Sequence, residues 1–452
     1  MFQQAATRHL QIERLESRLC LSFGMLDVTF GDEGLREFAD VQVIESFDEV
    51  WAATELSDGH ILMAGLSSMG HGPVAAFAKV STDGKLDDAF GGNGQVLLPN
   101  WLQISDVVAN ADGSFFVAGR SMIDDSAVYS VMRMLSDGRV DTQFGASGYR
   151  TFSSEYALQL ATTSANGVAV LTRELGDPRS PENEFRIWGL AANGQLDTSF
   201  GDAGVTAPFE ARYLLSDSEV SSGLHRLIRD DSGRLLVAAQ VYNRDVKFLY
   251  LRITCFTPDG RLDSDFGEAG RFVEPLVVGR DWNLASPLGS GGESVVCWVA
   301  NESGGVKFVA QRITPDGMMD VSFGTNGLLE GPLLASNVNS HVPRSASMAA
   351  TPSGEMLVAL PLEENWTNSG YYTMLIDQDG QFDSSYGTDG VAMITPHTFS
   401  YEGLKALLST VDGGVRMVVS GSDFLLQGLN EDGSENDSIG DGGITAIDLS
   451  LI

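Results

Sequence analysis

The stretch DGRVDTQFGASG at residues 137–148 recurs along the chain with the consensus D-G-x-L-D-x-x-F-G-x-x-G. Its eight copies occupy residues 26–34, 83–94, 137–148, 193–204, 259–270, 316–327, 379–390 and 432–443. The aromatic position of successive copies is separated by 53 to 66 residues. Such regular spacing is the signature of a repeat architecture, so the 452 residues are expected to form one repetitive body rather than two or three unrelated domains.

Each repeat also contains short apolar runs next to tight-turn sequences. In most units Asp-Gly, Asn-Gly or Ser-Gly precedes a strand-like run, as in ADGSFFVAGR at 111–120, and a third run such as YSVMRM leads into the next consensus segment. Runs of Val, Ile, Leu, Phe and Tyr bounded by such turns are typical of strands in hairpins. We interpret the run after F-G-x-x-G as the first strand of a unit and the stretch before the next turn as the second, which gives four strands per unit.

Four antiparallel strands repeated seven times predict an all-β fold, a seven-bladed β-propeller of four-stranded antiparallel blades. An open β-repeat array is the alternative, but closing the ring removes the exposed sheet edges that an open array leaves. The chain begins with the tail of a unit at 26–34 and ends with the strand-like run ITAIDLSLI at 444–452. One terminal segment is therefore expected to complete a blade that begins at the other end.

Three positions of the consensus predict structural roles, because a catalytic residue is normally unique in a chain. The Asp is expected to accept backbone N–H groups in its turn, the aromatic ring to pack between neighbouring sheets, and the Gly to adopt a positive φ or allow close packing. These residues are Asp27, Phe30, Gly31, Asp87, Phe90, Gly91, Asp141, Phe144, Gly145, Asp197, Phe200, Gly201, Asp263, Phe266, Gly267, Asp320, Phe323, Gly324, Asp383, Tyr386 and Gly387. The last copy has Asn436 and Ile439 at the Asp and aromatic positions.

Charge and cysteine content restrict the partners. A net charge of −33 argues against a nucleic-acid partner, whose phosphates are bound by Lys and Arg. The acid-rich turns leave calcium open as a cofactor at one or two sites, although no copy has the D-x-D-x-D-G pattern of a calcium loop, and no metal ligand is assigned. The sequence contains no run of eighteen apolar residues, so no transmembrane segment is predicted. Cys255 and Cys297 lie in apolar runs and are predicted to be buried thiols.

The sequence contains none of the common catalytic motifs, and its six histidines are scattered, so no catalytic residue is assigned. Longer connections that break the repeat are the expected functional segments: 176–184, 213–226 and 361–372. An aromatic or His residue also recurs near the start of the second strand of most units. With an additional Trp in the last of these segments, the candidate ligand-binding residues are Trp51, Trp101, Tyr156, His225, Trp282, His341, Trp366 and Tyr401. A ring of these side chains would suit stacking on sugars, and packing in the core is the alternative.

The consensus at a spacing near sixty residues resembles the delta-60 repeat family of bacterial proteins. The resemblance covers roughly residues 26–445 and implies a propeller-like β fold in exported bacterial proteins, with no catalytic residues to transfer. RHLQIERLESRLCLS at 8–22 resembles the LEPR-XLL segment of exported or surface proteins, with Leu15, Glu16, Arg18 and Leu19 matching and Ser17 replacing the usual proline. We therefore expect a targeting segment at 1–25, a single propeller domain at 26–452, and a location outside the cell or on the surface of a bacterium.

These features favour a non-catalytic, exported binding or scaffold propeller, with a protein or a glycan as its partner. A propeller enzyme of the lyase or lactonase type, with a site on the axis, is the first alternative. It requires three or more ionisable side chains that converge there from several blades. A purely structural surface component is the second alternative, and the sequence assigns no oligomeric state.

Overall fold

The computed structural model describes residues 48–68, 73–154, 158–163, 166–175, 183–210, 219–243, 248–276, 282–288, 293–302, 305–335, 347–351, 353–364, 367–394, 404–409, 415–420, 424–439 and 444–447. These residues contain seven separate four-stranded sheets, and every strand pair in them is antiparallel. The sheets are the blades of an all-β, seven-bladed propeller, so the predicted fold class is confirmed.

The strands follow the chain from blade to blade without insertion of a strand from elsewhere. Blade 1 contains β1 (Asp48–Glu55), β2 (Ile61–Ser68), β3 (Pro73–Val80) and β4 (Gln95–Leu98). Blade 2 contains β5 (Trp101–Ala109), β6 (Phe115–Ile123), β7 (Ser126–Met134) and β8 (Tyr149–Phe152). Blade 3 contains β9 (Gln159–Thr162), β10 (Val168–Leu175), β11 (Asn183–Leu190) and β12 (Phe209–Glu210). Blade 4 contains β13 (Glu219–Arg229), β14 (Leu235–Asn243), β15 (Phe248–Phe256) and β16 (Arg271–Leu276).

The remaining three blades repeat this order. Blade 5 contains β17 (Trp282–Leu288), β18 (Glu293–Glu302), β19 (Gly305–Ile313) and β20 (Leu328–Ala335). Blade 6 contains β21 (Ser347–Ala350), β22 (Met356–Glu364), β23 (Thr367–Ile376) and β24 (Val391–Ile394). Blade 7 contains β25 (Leu404–Ser409), β26 (Val415–Ser420), β27 (Phe424–Leu429) and β28 (Ile444–Ile447).

The ring is closed through the first strand of each blade. These strands contact one another across every blade boundary, including the boundary between β25 and β1. The backbone N–H of Val50 in blade 1 donates to Ser420 Oγ in blade 7 at 3.2 Å, although the two residues are 370 positions apart. The open-array alternative is therefore wrong. The compact unit that contains all the described strands spans Ser46–Ile452, and the boundary after residue 25 stays a prediction.

Two details of strand assignment differ from the sequence-based expectation. The run after F-G-x-x-G is the fourth strand of its own blade, because the motif turns the chain back onto strand three: the N–H of Lys79 in β3 donates to Gly94 O at 3.0 Å, immediately before β4. For the same reason residues 444–447 are the fourth strand of blade 7, paired with β27. The expectation that one terminus completes a blade from the other end is thus wrong for the described strands.

The hydrophobic core lies between neighbouring blades. The second strand of each blade is packed on both faces, so its side chains are buried without alternation, as in Val415–Ser420. The cluster between blades 1 and 2 includes Phe77, Phe90, Trp101 and Phe115. Burial of such rings is the dominant stabilising contribution at each junction.

Candidate functional site

The consensus segment connects the third and fourth strands of each blade. In blade 2 the Asp141 N–H donates to Arg133 O at 2.9 Å, and the Phe144 and Gly148 N–H groups then donate to Asp141 O and Phe144 O. One oxygen of the consensus Asp also accepts the N–H two residues further on, as Asp141 Oδ1 does from Gln143 at 3.0 Å. The same bond is present in all seven described copies, at residues 87, 141, 197, 263, 320, 383 and 436. This carboxylate is an internal part of the turn.

The Gly after the aromatic residue joins each blade to the next. The Gly145 N–H donates to Asn193 O in blade 3 at 2.8 Å. Equivalent bonds run from Gly91 to Asp137, Gly201 to Asp259, Gly267 to Asp316, Gly324 to Asp379 and Gly387 to Asp432. They form a chain of backbone bonds along the end of the propeller that carries the consensus segments, which we call the motif face.

The aromatic ring packs beneath the turn glycine of the following blade. A Cβ at Gly194 would lie 3.0 Å from the Phe144 ring, and one at Gly138 would lie 3.0 Å from Phe90. The six described aromatic residues at this position are buried. At the last junction Ile439 takes the same place, with its Cγ2 3.3 Å from a Cβ at Gly84. The seven described copies therefore fill all seven junctions, and Asp27, Phe30 and Gly31 of the first copy lie outside the described residues.

The second oxygen of the consensus Asp forms an ion pair in several blades. Lys79, whose side chain is only 5% exposed, lies 2.8 Å from both Asp58 and Asp87. Arg133 likewise connects Asp112 and Asp141. Because the hydrogen bond from Lys79 favours the ionised carboxylate, the pKa of Asp87 is held below its ordinary value. These acidic residues are thus paired inside the blade rather than presented to a ligand.

Blade 4 has no cationic side chain at this position of its third strand, and an arginine from another strand takes its role. Cys255 stands where Lys79 and Arg133 stand in their blades, and Arg234 from the preceding hairpin reaches Asp230 at 2.7 Å and Asp263 at 3.6 Å. Burial raises the pKa of Cys255 to about 12, so its thiol stays protonated at neutral pH. Cys297 is also buried. Both cysteines occupy the core positions expected from their apolar surroundings.

The structure describes four of the eight candidate ligand-binding residues. Trp51 is half-buried against the core between blades 1 and 2, and Trp101, at the start of β5, is 1% exposed and contacts Tyr149. His225 and Trp282 lie in β13 and β17, the first strands of blades 4 and 5. Trp101 is a core side chain and cannot stack on a ligand at the surface. Tyr156, His341, Trp366 and Tyr401 lie outside the described residues.

Polar side chains of the first strands connect blades near the axis. Asp106, on β5, accepts the Leu160 N–H of blade 3 at 2.8 Å through Oδ2 and the Val107 N–H at 2.9 Å through Oδ1. Burial raises the pKa of Asp106, and the positive charge of Arg226 on blade 4 opposes that shift. Gln159 accepts the Leu227 N–H of blade 4 in the same way, at 2.7 Å.

Sequence reasoning missed this set of axial residues. Lys405 of blade 7 adds a cross-blade pair, with its Nζ 3.8 Å from Glu49 of blade 1. The signal in the sequence was one Asp inside the apolar run ISDVVA, and a single polar residue in a strand does not reveal that its partner is in the next blade. On the axis side of the described strands, the charges thus serve mainly to connect blades.

The described strands that flank the three longer segments have the flanking ends on one side of the propeller, and residues 176–182, 213–218, 365 and 366 of these segments lie outside the described residues. Residues 176–184 connect β10 with the start of β11, 213–226 lead from β12 into β13, and 361–372 cover the end of β22 and the start of β23. In a four-stranded antiparallel blade, the connection between strands two and three and the connection to the next blade emerge opposite the consensus segment. We call this end the connection face. Among the described residues, no group of three or more His, Cys, Asp or Glu side chains could hold a metal ion.

Comparisons with known proteins give only distant structural similarity. No family model matches the chain, and no curated protein matches its sequence. Among solved structures, the polysaccharide lyase Uly1 is 9% identical over 93% of both chains, with a TM-score of 0.43. The structure of Drosophila Plexin A in complex with Semaphorin 1b is 8% identical over 83% of this chain and 84% of that one, also at 0.43. A glucose dehydrogenase is 12% identical over 71% and 94%, at 0.37. In the part of the chain that the structure describes, no helix is long and apolar enough to cross a membrane.

Proposed function

We propose that this chain is a non-catalytic binding or scaffold propeller of the delta-60 repeat type, exported to the exterior or surface of a bacterium. The observation that carries the proposal is the use of the repeated polar residues. Each described consensus Asp or Asn is bonded within its own turn, in one environment repeated seven times. A catalytic centre needs a unique constellation of groups, and the repeat supplies identical ones. The LEPR-XLL-like residues 8–22 support export.

The connection face is the best candidate for the binding surface. The motif face is occupied by backbone bonds between blades and by ion pairs within blades, whereas the strands that flank the three longer segments have those ends on the opposite side. Binding residues are commonly carried on loops that a rigid scaffold holds in place. A protein or a glycan is the expected partner, and the charge of −33 favours one with basic groups.

A thermal-shift screen of the full chain tests this proposal. The probes are calcium ions, a set of polysaccharide fragments and a set of basic peptides, because any ligand that binds only the folded chain raises its melting temperature. For a probe that binds, we expect replacement of residues 176–182 by a Gly-Ser segment of equal length, or of residues 213–218 or 365–366 in the same way, to reduce its affinity at least tenfold in one case. As a control, the hairpin residues Asp124 and Asp125 on the same face, which have positive φ, are replaced by Asn-Gly, which suits that turn.

The outcomes separate the alternatives. Binding that is unaffected by all three replacements contradicts the connection face as the binding surface. Turnover of a polysaccharide fragment would support the axial enzyme instead, for which the buried Asp106 and the exposed Arg226, whose positive charge acts on it, are the relevant residues. If no probe binds and the chain self-associates in sedimentation experiments, a structural surface component is the better description.

A further inference from the structure

A cleft of about 690 Å³ lies on the flank of blade 2. It is lined by residues at the start of β5, the end of β6, strand β8 and the consensus turn of blade 2, together with Gln195 of blade 3. We call it the blade 2 cleft. Its volume is within the range of sites that bind small molecules. The described lining includes no residue of the three longer segments, so the segment replacements above leave these lining residues unchanged.

One wall of the blade 2 cleft is the half-buried aromatic side chain of Tyr149, which packs against the buried Trp101. The Trp101 and Tyr149 ring centroids are 6.4 Å apart, with an angle of 32° between the ring planes. The indole lies over Gly119, where a Cβ would come within 2.9 Å of Trp101 Cζ3. The absence of a side chain at Gly119 therefore gives the indole its place. Aromatic surface beside polar groups is suited to the C–H faces of a sugar ring.

The charge of the lining is opposite to that of the chain. Of the twelve described residues that line the cleft, Arg150 is the one charged residue and none is acidic. The whole chain has 61 Asp and Glu residues against 28 Lys and Arg. Arg150 can bind a carboxylate through two parallel N–H groups, and the amides of Asn100 and Gln195 add further polar groups. The lining thus favours a ligand with acceptor oxygens and a negative charge.

We propose that the blade 2 cleft binds a short acidic saccharide, one or two sugar rings long, whose carboxylate is recognised by Arg150 and whose ring lies against the half-buried Tyr149. The aromatic wall supplies apolar contact for the ring, and the donors supply selectivity for the uronate over its neutral counterpart.

Calorimetric titration of the full chain tests the proposal. The probes are digalacturonate, dimannuronate and diguluronate, with galactobiose as an uncharged disaccharide. We expect at least one uronate disaccharide to bind at least tenfold more tightly than galactobiose. Arg150→Gln should remove that preference by lowering uronate affinity at least tenfold. Arg139→Gln is the matched control, because Arg139 is an exposed arginine of the same blade, paired with Asp137 outside the cleft lining.

A second variant examines the aromatic wall. Tyr149→Leu removes the half-buried ring that lines the cleft, so it should weaken binding of every saccharide that occupies the cleft, and circular dichroism reports whether the variant is folded. The proposal is overturned if no uronate disaccharide binds. It is also overturned if Arg150→Gln and Arg139→Gln change the affinity equally. Neither result affects binding through the connection-face segments, which is measured with different variants.

Discussion

At the scale of single residues, the repeated glycines show how one conformation and one contact are required together. Gly138 has φ +85°, and a Cβ there would lie 2.7 Å from Val96 Cγ2 and 3.0 Å from Phe90 Cε2. The absence of a Cβ at Gly138 thus permits both the positive φ of the blade 2 turn and the close packing of the Phe90 ring of blade 1. Gly92, by contrast, has φ +94°, and a Cβ at this position would have no other atom within 4 Å. Gly92 is therefore required only for its positive φ.

This difference gives a matched pair of substitutions. Gly92→Ala should destabilise the fold by about 1–2 kcal/mol, the cost of a left-handed backbone for a residue with a Cβ. Gly138→Ala should cost about 1–3 kcal/mol more, because the methyl group also overpacks the junction between blades 1 and 2. Urea unfolding followed by fluorescence measures both. Equal losses would show that the packing of Phe90 against this glycine contributes nothing to stability.

At the scale of the strands and their connections, sequence and structure agree on the repeat and differ on its boundaries. The spacing of the consensus and the turn sequences predicted four antiparallel strands per unit. The assignment of the run QVLL at 95–98 was wrong, because the bond from Lys79 N to Gly94 O that returns it to β3 is not encoded in a local pattern. Asp106 and Leu160 are likewise 54 residues apart in sequence. Such contacts depend on the register between blades, which hydrophobic periodicity does not specify.

The ion pairs within a blade give a stability that depends on pH. Lys79→Met leaves Asp58 and Asp87 without their shared cation, which should cost about 1–3 kcal/mol at neutral pH. Although burial favours the neutral amine, the hydrogen bonds to both carboxylates raise the pKa of Lys79 above 10.5, and the pKa of Asp87 is lowered from 3.8. The contribution is therefore fully present between these two values, lost as pH falls through the folded-state pKa of Asp87, and lost again at strongly alkaline pH.

Unfolding measured at pH 7 and pH 3 tests this expectation. The difference between the wild type and Lys79→Met should shrink at pH 3, as the carboxylates become protonated. Lys85→Met is the control, because Lys85 pairs with Asp83 at the surface with its side chain 81% exposed, and such solvent-screened pairs contribute little to stability. A Lys79→Met effect that is the same at both pH values would mean that lost packing, not lost charge pairing, destabilises the variant.

At the scale of the whole molecule, the sequence has more consensus segments than the propeller has junctions between blades. Eight consensus segments occur in the sequence, yet the copies from 83–94 to 432–443 already provide one aromatic or aliphatic side chain for each of seven junctions. The seventh junction uses Ile439 where the other described copies have an aromatic ring. Closure is strengthened there by contacts between blades 7 and 1, in which Arg416 Nε donates to Thr82 O at 2.8 Å. The ring is therefore complete with residues from 48 onwards.

It follows that removal of residues 1–45 should leave the propeller intact. We expect the truncated chain to melt within about 2 °C of the full chain in a single transition, a shift that corresponds to about 2 kcal/mol or less for a protein of this size. Removal of residues 436–452, which takes away Ile439 and β28, should instead abolish cooperative melting, because it opens the junction with blade 1 and leaves the edge of β27 unpaired. A large loss of stability in the first truncation would contradict this account. It would mean that the first consensus copy takes part in closing the ring, and that its Phe30 competes with Ile439 for the place beneath Gly84.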